Sequence, residues 1–275
     1  IFLTALSCVR RRSKVELAIK HQLDLILSKQ LTNEHQLSFD KLIDLATQRN
    51  NFSALEIVIR HLNALKKDIS ISCHSALRST SERPLQLILN CQHTDINHQD
   101  NDGITALHLC VINQNKRLLA MLLEKPQIDP NLTDRHGETA CHWAAKNGDK
   151  ESLSMLLQHP RTSPNIKDHQ GNSPSHLAVF SHQKICLELL FRHPNTDPNL
   201  QDMEKKSLSH IAVMNNDSDV LSCILNNPKS NPHLPDQDGL TPCHWAMIKN
   251  HKEMMALLRK NTRSFISSHQ SFIPM

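Results

Sequence analysis

The sequence predicts an all-α fold of stacked helix–turn–helix units, and three observations carry that prediction. The chain matches itself at a step of 34 residues: His74, His108, His142, His176, His210 and His244 keep the step, as do Asp100, Asp134, Asp168, Asp202 and Asp236, and Asn97, Asn131, Asn165 and Asn199. A fixed period of that size marks repeated supersecondary units. An apolar face recurs at Leu119, Leu153, Leu187 and Leu221 and again at Leu122, Leu156, Leu190 and Leu258, with Met255 and Ile224 filling the two gaps. Neither helix of a unit can bury such a face alone, whereas stacked neighbours bury it jointly. Finally, five glycines in 275 residues are too few for a turn-rich β sandwich or a glycine-rich phosphate loop.

Each unit reads as a series of local instructions, seen most clearly over 134–167. Asp134-Arg135-His136-Gly137 is a turn in which Gly137 is free to take positive φ. Thr139 is placed as an N-cap, its hydroxyl available to the orphan amides of a short helix that packs through Ala144 and Ala145 and ends near Asn147-Gly148. A second helix begins around Asp149, carries Leu153, Leu156 and Leu157 on one face, and is stopped by Pro160. Prolines recur twice per unit, at Pro126, Pro160, Pro194 and Pro228 and at Pro130, Pro164, Pro198 and Pro232. The unit starting at Asp202 departs from the rest. Lys205 stands where the turn glycine is expected, at a cost of about 1 kcal/mol if positive φ is kept, and Ser207-Leu208 replaces Thr-Pro, so a remodelled turn is expected there.

The segments TALHLC (105–110), TACHWA (139–144), SPSHLA (173–178), SLSHIA (207–212) and TPCHWA (241–246) resemble the T-P-L-H-x-A signature of the ankyrin repeat. The resemblance covers 100–260 strongly and 66–99 more weakly, where His74, Ala76, Leu85, Ile88 and Leu89 hold register. It implies an ankyrin-repeat solenoid whose helix pairs are joined by turn or β-hairpin fingers. The expected boundaries are a weak repeat at 66–99, full repeats at 100–133, 134–167, 168–201 and 202–235, and a last repeat at 236–263 whose Lys249, Lys252, Arg259 and Lys260 make it polar enough to cap the stack. Before these, 1–65 reads as degenerate helix pairs, at 13–28 and 39–62. After them, 264–275 reads as a tail in which SFI occurs twice, suited to a disordered end, a strap over the last unit or a short docking peptide. The resemblance also implies structural roles for the motif residues: the histidine bonds the motif hydroxyl and a neighbouring carbonyl, which assigns Thr105 with His108, Thr139 with His142 and Thr241 with His244, and gives His176 and His210 the same place.

Cys141 beside His142 invites a reading as nucleophile and base or as metal ligands. The repeat argues against both. The position of Cys141 is held by Leu107, Ser175, Ser209 and Cys243 in other units, a small packing slot that suits a buried thiol, and adjacent helix residues point ~100° apart rather than at each other. The DNDG and DQDG segments at 100–103 and 236–239 lack the ligand spacing of a calcium loop and read as turns. His159-Pro160 and His193-Pro194 stand one step apart at helix ends, where a histidine serves the last carbonyls. No catalytic residue, metal site or cofactor is expected. A net charge of +4 with 3% aromatic residues does not suggest a nucleic-acid surface. The eight cysteines are dispersed without a CxxC, which fits free thiols in a reducing, cytoplasmic setting. No stretch reaches the ~20 apolar residues of a membrane helix; IFLTALSCV ahead of Arg10, Arg11 and Arg12 is read as the end of a soluble helix, with the end of a severed membrane or signal segment as the other reading.

In the family that the chain resembles, partners bind a concave face built from the turn tips and the exposed side of the first helix. The matching tips include Arg135 and His136, His169, and Met203. Four residues after each motif histidine lie Ile112, Lys146, Phe180, Met214 and Ile248, an apolar row interrupted once. Trp143 and Trp245 either flank this row or fill space beside it, as Leu109, Leu177 and Ile211 do at matching positions. The implied function is a non-enzymatic interaction scaffold, a monomeric solenoid taking a protein or peptide in its groove. The alternative is the repeat segment of a larger enzyme, channel or trafficking protein whose activity lies outside these residues.

Overall fold

The computed structural model describes residues 55–56, 59, 71–77, 83–91 and 94–269, with 71, 72, 75 and 262–269 given by their backbone. The helix pairs expected at 13–28 and 39–62, the Arg10–Arg12 run, Cys8 and the end of the tail at 270–275 lie outside these residues, apart from Leu55, Glu56 and Ile59. The chain divides into two compact units: one runs to Asp100 and takes in Glu124–Ile128, and the other comprises Asn101–Leu123 and the residues from Asp129 onward.

In the first unit, strand β1 (Ile71–Ser72) leads into helix α1 (His74–Leu77), which is followed by α2 (Arg83–Leu89) and β2 (Thr94–Asp95). The two strands pair in parallel, Ile71 opposite Thr94 and Ser72 opposite Asp95. Cys73, Ala76, Leu77, Leu85, Ile88, Cys91 and Ile96 are buried around them. Of the residues expected to hold register here, Ala76, Leu85 and Ile88 face this core while His74 and Leu89 are half-buried.

In the second unit, five helix pairs follow one another: α3 (Ala106–Ile112) with α4 (Lys116–Leu123), α5 (Ala140–Lys146) with α6 (Lys150–Gln158), α7 (Pro174–Phe180) with α8 (Lys184–Arg192), α9 (Leu208–Met214) with α10 (Ser218–Asn226), and α11 (Pro242–Ile248) with α12 (Lys252–His269). Each first helix starts at a hydroxyl N-cap, Thr105, Thr139, Ser173, Ser207 or Thr241, and its third residue is the motif histidine, whose ring closes a capping box. Each ends two residues before a left-handed position, occupied by Gln114, Gly148, His182, Asn216 and Asn250 at φ between 53° and 70°, so the chain reverses into the second helix. Asp149 and Asp217 then cap α6 and α10 through their side chains.

First helices pack on first helices and second on second, and the leucines expected to be inside are inside: Leu119, Leu122, Leu153, Leu156, Leu187, Leu190, Leu221, Ile224 and Leu258 are all buried. A further buried row precedes them, made of Leu118, Ser152, Cys186, Val220 and Met254. Met255 is only half-buried, because among the described residues no further helix covers its side of α12.

One expectation is corrected. The finger at Lys205 is not remodelled: Lys205 keeps φ at +57°, and Asp202 N–H reaches Lys206 O at 3.0 Å just as Asp134 N–H reaches Glu138 O at 2.9 Å. Asp202 holds the turn, its Oδ1 receiving the N–H groups of Glu204 and Lys206 at 2.9 and 2.8 Å. The backbone of the segment from 264 continues α12 as far as His269.

Candidate interaction surface

The motif histidines are held from both sides. Thr139 N–H donates to His142 Nδ1 at 3.0 Å, with the Thr139 hydroxyl 2.9 Å from the same nitrogen. That leaves the ring proton on Nε2, which donates to Asn172 O at 3.1 Å in the next unit. His108 reaches Glu138 O and His210 reaches Leu240 O at 3.0 Å in the same way. His176 departs from this, its Nε2 buried without a hydrogen-bond partner, and so does His244, bonded through Nδ1 alone. Burial pushes the His142 and His176 rings down to about 4, although the carbonyl and aspartates near His142 oppose the shift. Both rings are therefore neutral, and that of His142 is a strut between units. Cys141, packed beside His142, has its thiol pushed up to about 12 by burial, and both nitrogens of its neighbour are occupied, so the pair has neither a thiolate nor a free base.

The repeated asparagines make a second set of links. Asn131, Asn165 and Asn199 each donate from Nδ2 to the carbonyl thirty residues ahead, at Arg161, Asn195 and Lys229, over 2.6–2.8 Å. A third set joins the finger tips: Arg135 N–H to Asp102 O, His169 N–H to His136 O, Met203 N–H to Gln170 O and Gln237 N–H to Glu204 O, at 2.8–3.1 Å. These links hold the tips and the first helices at a fixed spacing, and two cavities open between them.

The first cavity, about 550 Å³, brings together Arg135, His136, Trp143, Lys146 and His169 with Glu138. Trp143 donates its indole N–H to Asp134 Oδ2 at 3.0 Å, and Lys146 Nζ lies 5.8 Å above the indole ring and 3.4 Å from Glu138. Burial raises the Asp134 carboxyl, but the N–H groups of His136 and Glu138 and the Trp143 indole outweigh it and hold the group below its usual range. The second cavity, about 490 Å³, is walled by Phe180, Met203, Ile211 and Met214, with Asn172 and Asp202 among its polar residues.

Of the apolar row, Ile112 is 40% exposed, Phe180 44% and Ile248 62%, whereas Met214 is half-buried; Met203 at a finger tip is 73% exposed. Ile112, Trp245 and Ile248 line neither cavity. Thr105, Thr139, His108, His142, His176 and His210 are interior. Thr241 is half-buried and His244 exposed, though the bond from Thr241 N–H to His244 Nδ1 is present at 3.0 Å. Both tryptophans are half-buried and anchored: Trp245 repeats the indole bond, to Asp236 Oδ2 at 2.7 Å. This Asp-to-Trp bond was missed by sequence reasoning, although the nine-residue spacing from Asp134 to Trp143 and from Asp236 to Trp245 was there to be read. Glu138 and Asn172 belong to the finger tips that the resemblance assigns to the binding face, whereas Asp202 is legible in the sequence only as a repeated aspartate.

Among the described residues no helix is long and apolar enough to cross a membrane, and no group of three histidine, cysteine or acidic side chains is placed to hold a metal ion. A family model described as ankyrin repeats (3 copies) matches residues 73–168 and 118–202. No curated protein matches the sequence. Among solved structures, the chain is similar to the ankyrin repeat domain of Bcl-3, a unique member of the IkappaB protein family, at a TM-score of 0.61 and 19% identity over 80% of this chain and 85% of that one. It is also similar to EF0377, an ankyrin repeat protein, at a TM-score of 0.60 and 18% identity over 65% of this chain and 90% of that one.

Proposed function

From the premise that this chain belongs to the ankyrin-repeat family, whose repeats are protein-interaction modules, we propose that its finger tips and first helices form a concave face binding a helical or extended segment of a partner protein. The observation that carries this reading is the placement of Phe180, Met203 and Met214 around one open cavity. Phe180 and Met203 are large apolar side chains left in water, and aromatic and methionine side chains are the usual anchors of an interface core. Arg135, His136, Lys146 and His169 supply the polar part of the face one cavity along. Chemistry is not part of the proposal: the motif histidines and Cys141 are consumed by packing. The free thiols of the described cysteines fit a reducing compartment.

The test is affinity capture from lysate with the whole chain and with a Phe180→Glu, Met214→Glu double variant shown by circular dichroism to be folded. The proposal expects a protein held by the first and lost by the second. Equal capture by both would move recognition off this face.

A further inference from the structure

The last helix pair leaves open a face that the four pairs before it close. In those units the positions of Cys243, His244 and Met247 are 2% exposed or less: Leu107, Cys141, Ser175 and Ser209, the motif histidines, and Val111, Ala145, Val179 and Val213. In α11 the same positions come out into water. His244 is exposed, Met247 is 47% exposed and Cys243 is half-buried. Met255 joins them from α12, half-buried where Leu119, Leu153, Leu187 and Leu221 are fully buried. The end of a repeat stack needs a polar outer face to stay in water. Here the outward positions hold two methionines and a cysteine beside one histidine.

Two linking groups on this face are unused. Thr241 N–H fills His244 Nδ1, which leaves the ring proton on Nε2. Its counterparts donate to the carbonyls of Glu138, Asn172 and Leu240, whereas that of His244 meets no acceptor among the described residues. The Asp238 carbonyl matches those of Asp102, His136, Gln170 and Glu204, which each receive a finger-tip N–H from the next unit. Among the described residues it receives none. As far as His269 the chain does not turn back to fill these places. Residues 261–269 match the loops at 159–167, 193–201 and 227–235 that lead to the next finger, but they continue α12, which has 18 residues against nine in α6, α8 and α10. At a helical rise they carry the chain about 13 Å onward.

We propose that this face is covered by the same face of a second copy of the chain, in a two-fold dimer joined at α11 and α12. A contact of that symmetry needs a patch that complements itself. This one holds both a donor, the His244 Nε2–H, and an acceptor, the Asp238 carbonyl. Each His244 donates to the Asp238 carbonyl of the other copy, so that two hydrogen bonds form at once. Met247 and Met255 fill the space between them, methionine being able to fit an irregular surface of its own kind. Charge does not oppose the contact: over 236–261, Lys249, Lys252, Arg259 and Lys260 stand against Asp236, Asp238 and Glu253, which leaves one positive charge on each copy. None of Cys243, His244, Met247 and Met255 lines the two cavities of the concave face. The dimer therefore does not depend on the reading of that face, and it presents two such faces in one particle.

Sedimentation velocity of the whole chain from about 1 to about 300 μM tests this, a range that spans the affinity of modest interfaces. The expected result is passage from the mass of one chain to that of two, with nothing larger. Met247→Lys sets like charges against each other at an exposed position and should abolish the dimer over this range. His244→Ala should weaken it about tenfold or more, because both symmetry-related hydrogen bonds go together; should Met247→Lys not fold, His244→Ala decides alone. The Phe180→Glu, Met214→Glu variant should dimerise as the unaltered chain does. A single chain at every concentration, species that grow beyond two chains, or a dimer unchanged by Met247→Lys or by His244→Ala would overturn the proposal. So would a dimer lost in the Phe180→Glu, Met214→Glu variant, which would move the contact to the concave face.

Discussion

At His142 the ring is occupied on both sides, and its position in the chain makes it a link between the Thr139 helix cap and the Asn172 carbonyl of the next unit. Replacing it with alanine leaves a buried carbonyl without its donor and removes half of a capping box, so His142→Ala is expected to cost about 2 kcal/mol or more. The same change at His244, an exposed ring, is expected to cost less than about 1 kcal/mol. Urea unfolding of the two variants side by side measures the difference. The buried rings also set an acid limit. His142 and His176 are held at about 4 by burial, against 6.5 for an ordinary histidine. The unfolded chain therefore takes up protons that the folded chain refuses. Their contribution is complete above about pH 6.5 and is lost as pH falls toward about 4, with a slope of up to about 1.4 kcal/mol per pH unit for each ring. Thermal melts between pH 7.5 and pH 4.5 should show the midpoint falling well before ordinary carboxylates titrate. A flat midpoint down to pH 5 would contradict it. The step of 34 made these histidines legible in the sequence. The indole bonds of Trp143 and Trp245 escaped notice because two tryptophans three units apart look like packing variation until their shared distance from an aspartate is measured.

At the scale of a single finger, side-chain caps decide more than residue type at the tip. Lys205 adopts the left-handed conformation that glycine takes at Gly103, Gly137, Gly171 and Gly239, because Asp202 Oδ1 gathers the surrounding N–H groups. The sequence correctly marks the position as strained, but strain alone does not say whether the turn yields. The answer depended on Asp202, which is present in every finger and so carried no distinguishing signal. Lys205→Gly is expected to stabilise the protein by about 0.5–1 kcal/mol, relief of the left-handed strain being partly offset by the extra freedom of an unfolded glycine. Gly171→Ala is expected to destabilise it by about 1–2 kcal/mol from backbone strain alone, and by more because the added methyl would sit 2.7 Å from Met203 N. Melting temperatures of the two variants should move in opposite directions. The helix pairs themselves were legible, since hydroxyl caps, left-handed ends and leucine rows are all local. The buried row of Leu118, Ser152, Cys186, Val220 and Met254 was not, because serine and cysteine break the apolar pattern that defines a face.

Across the stack, three sets of links repeat between units: histidine to carbonyl, asparagine to carbonyl, and finger tip to finger tip. Each fixes one unit against the next, which is how a repeat protein holds a long surface in register. The row at Ile112, Phe180, Met214 and Ile248 was visible in the sequence as a periodic oddity. Its closure into a cavity with Met203 and Asn172 was not, because that depends on a finger meeting a helix of the preceding unit. The central claim is that this face receives the partner. Amide hydrogen exchange on the complex with a captured partner tests it directly. Added protection over 169–180 and 203–214, with none over the second helices at 150–158 and 184–192, is the predicted result. Protection confined to those second helices would contradict it.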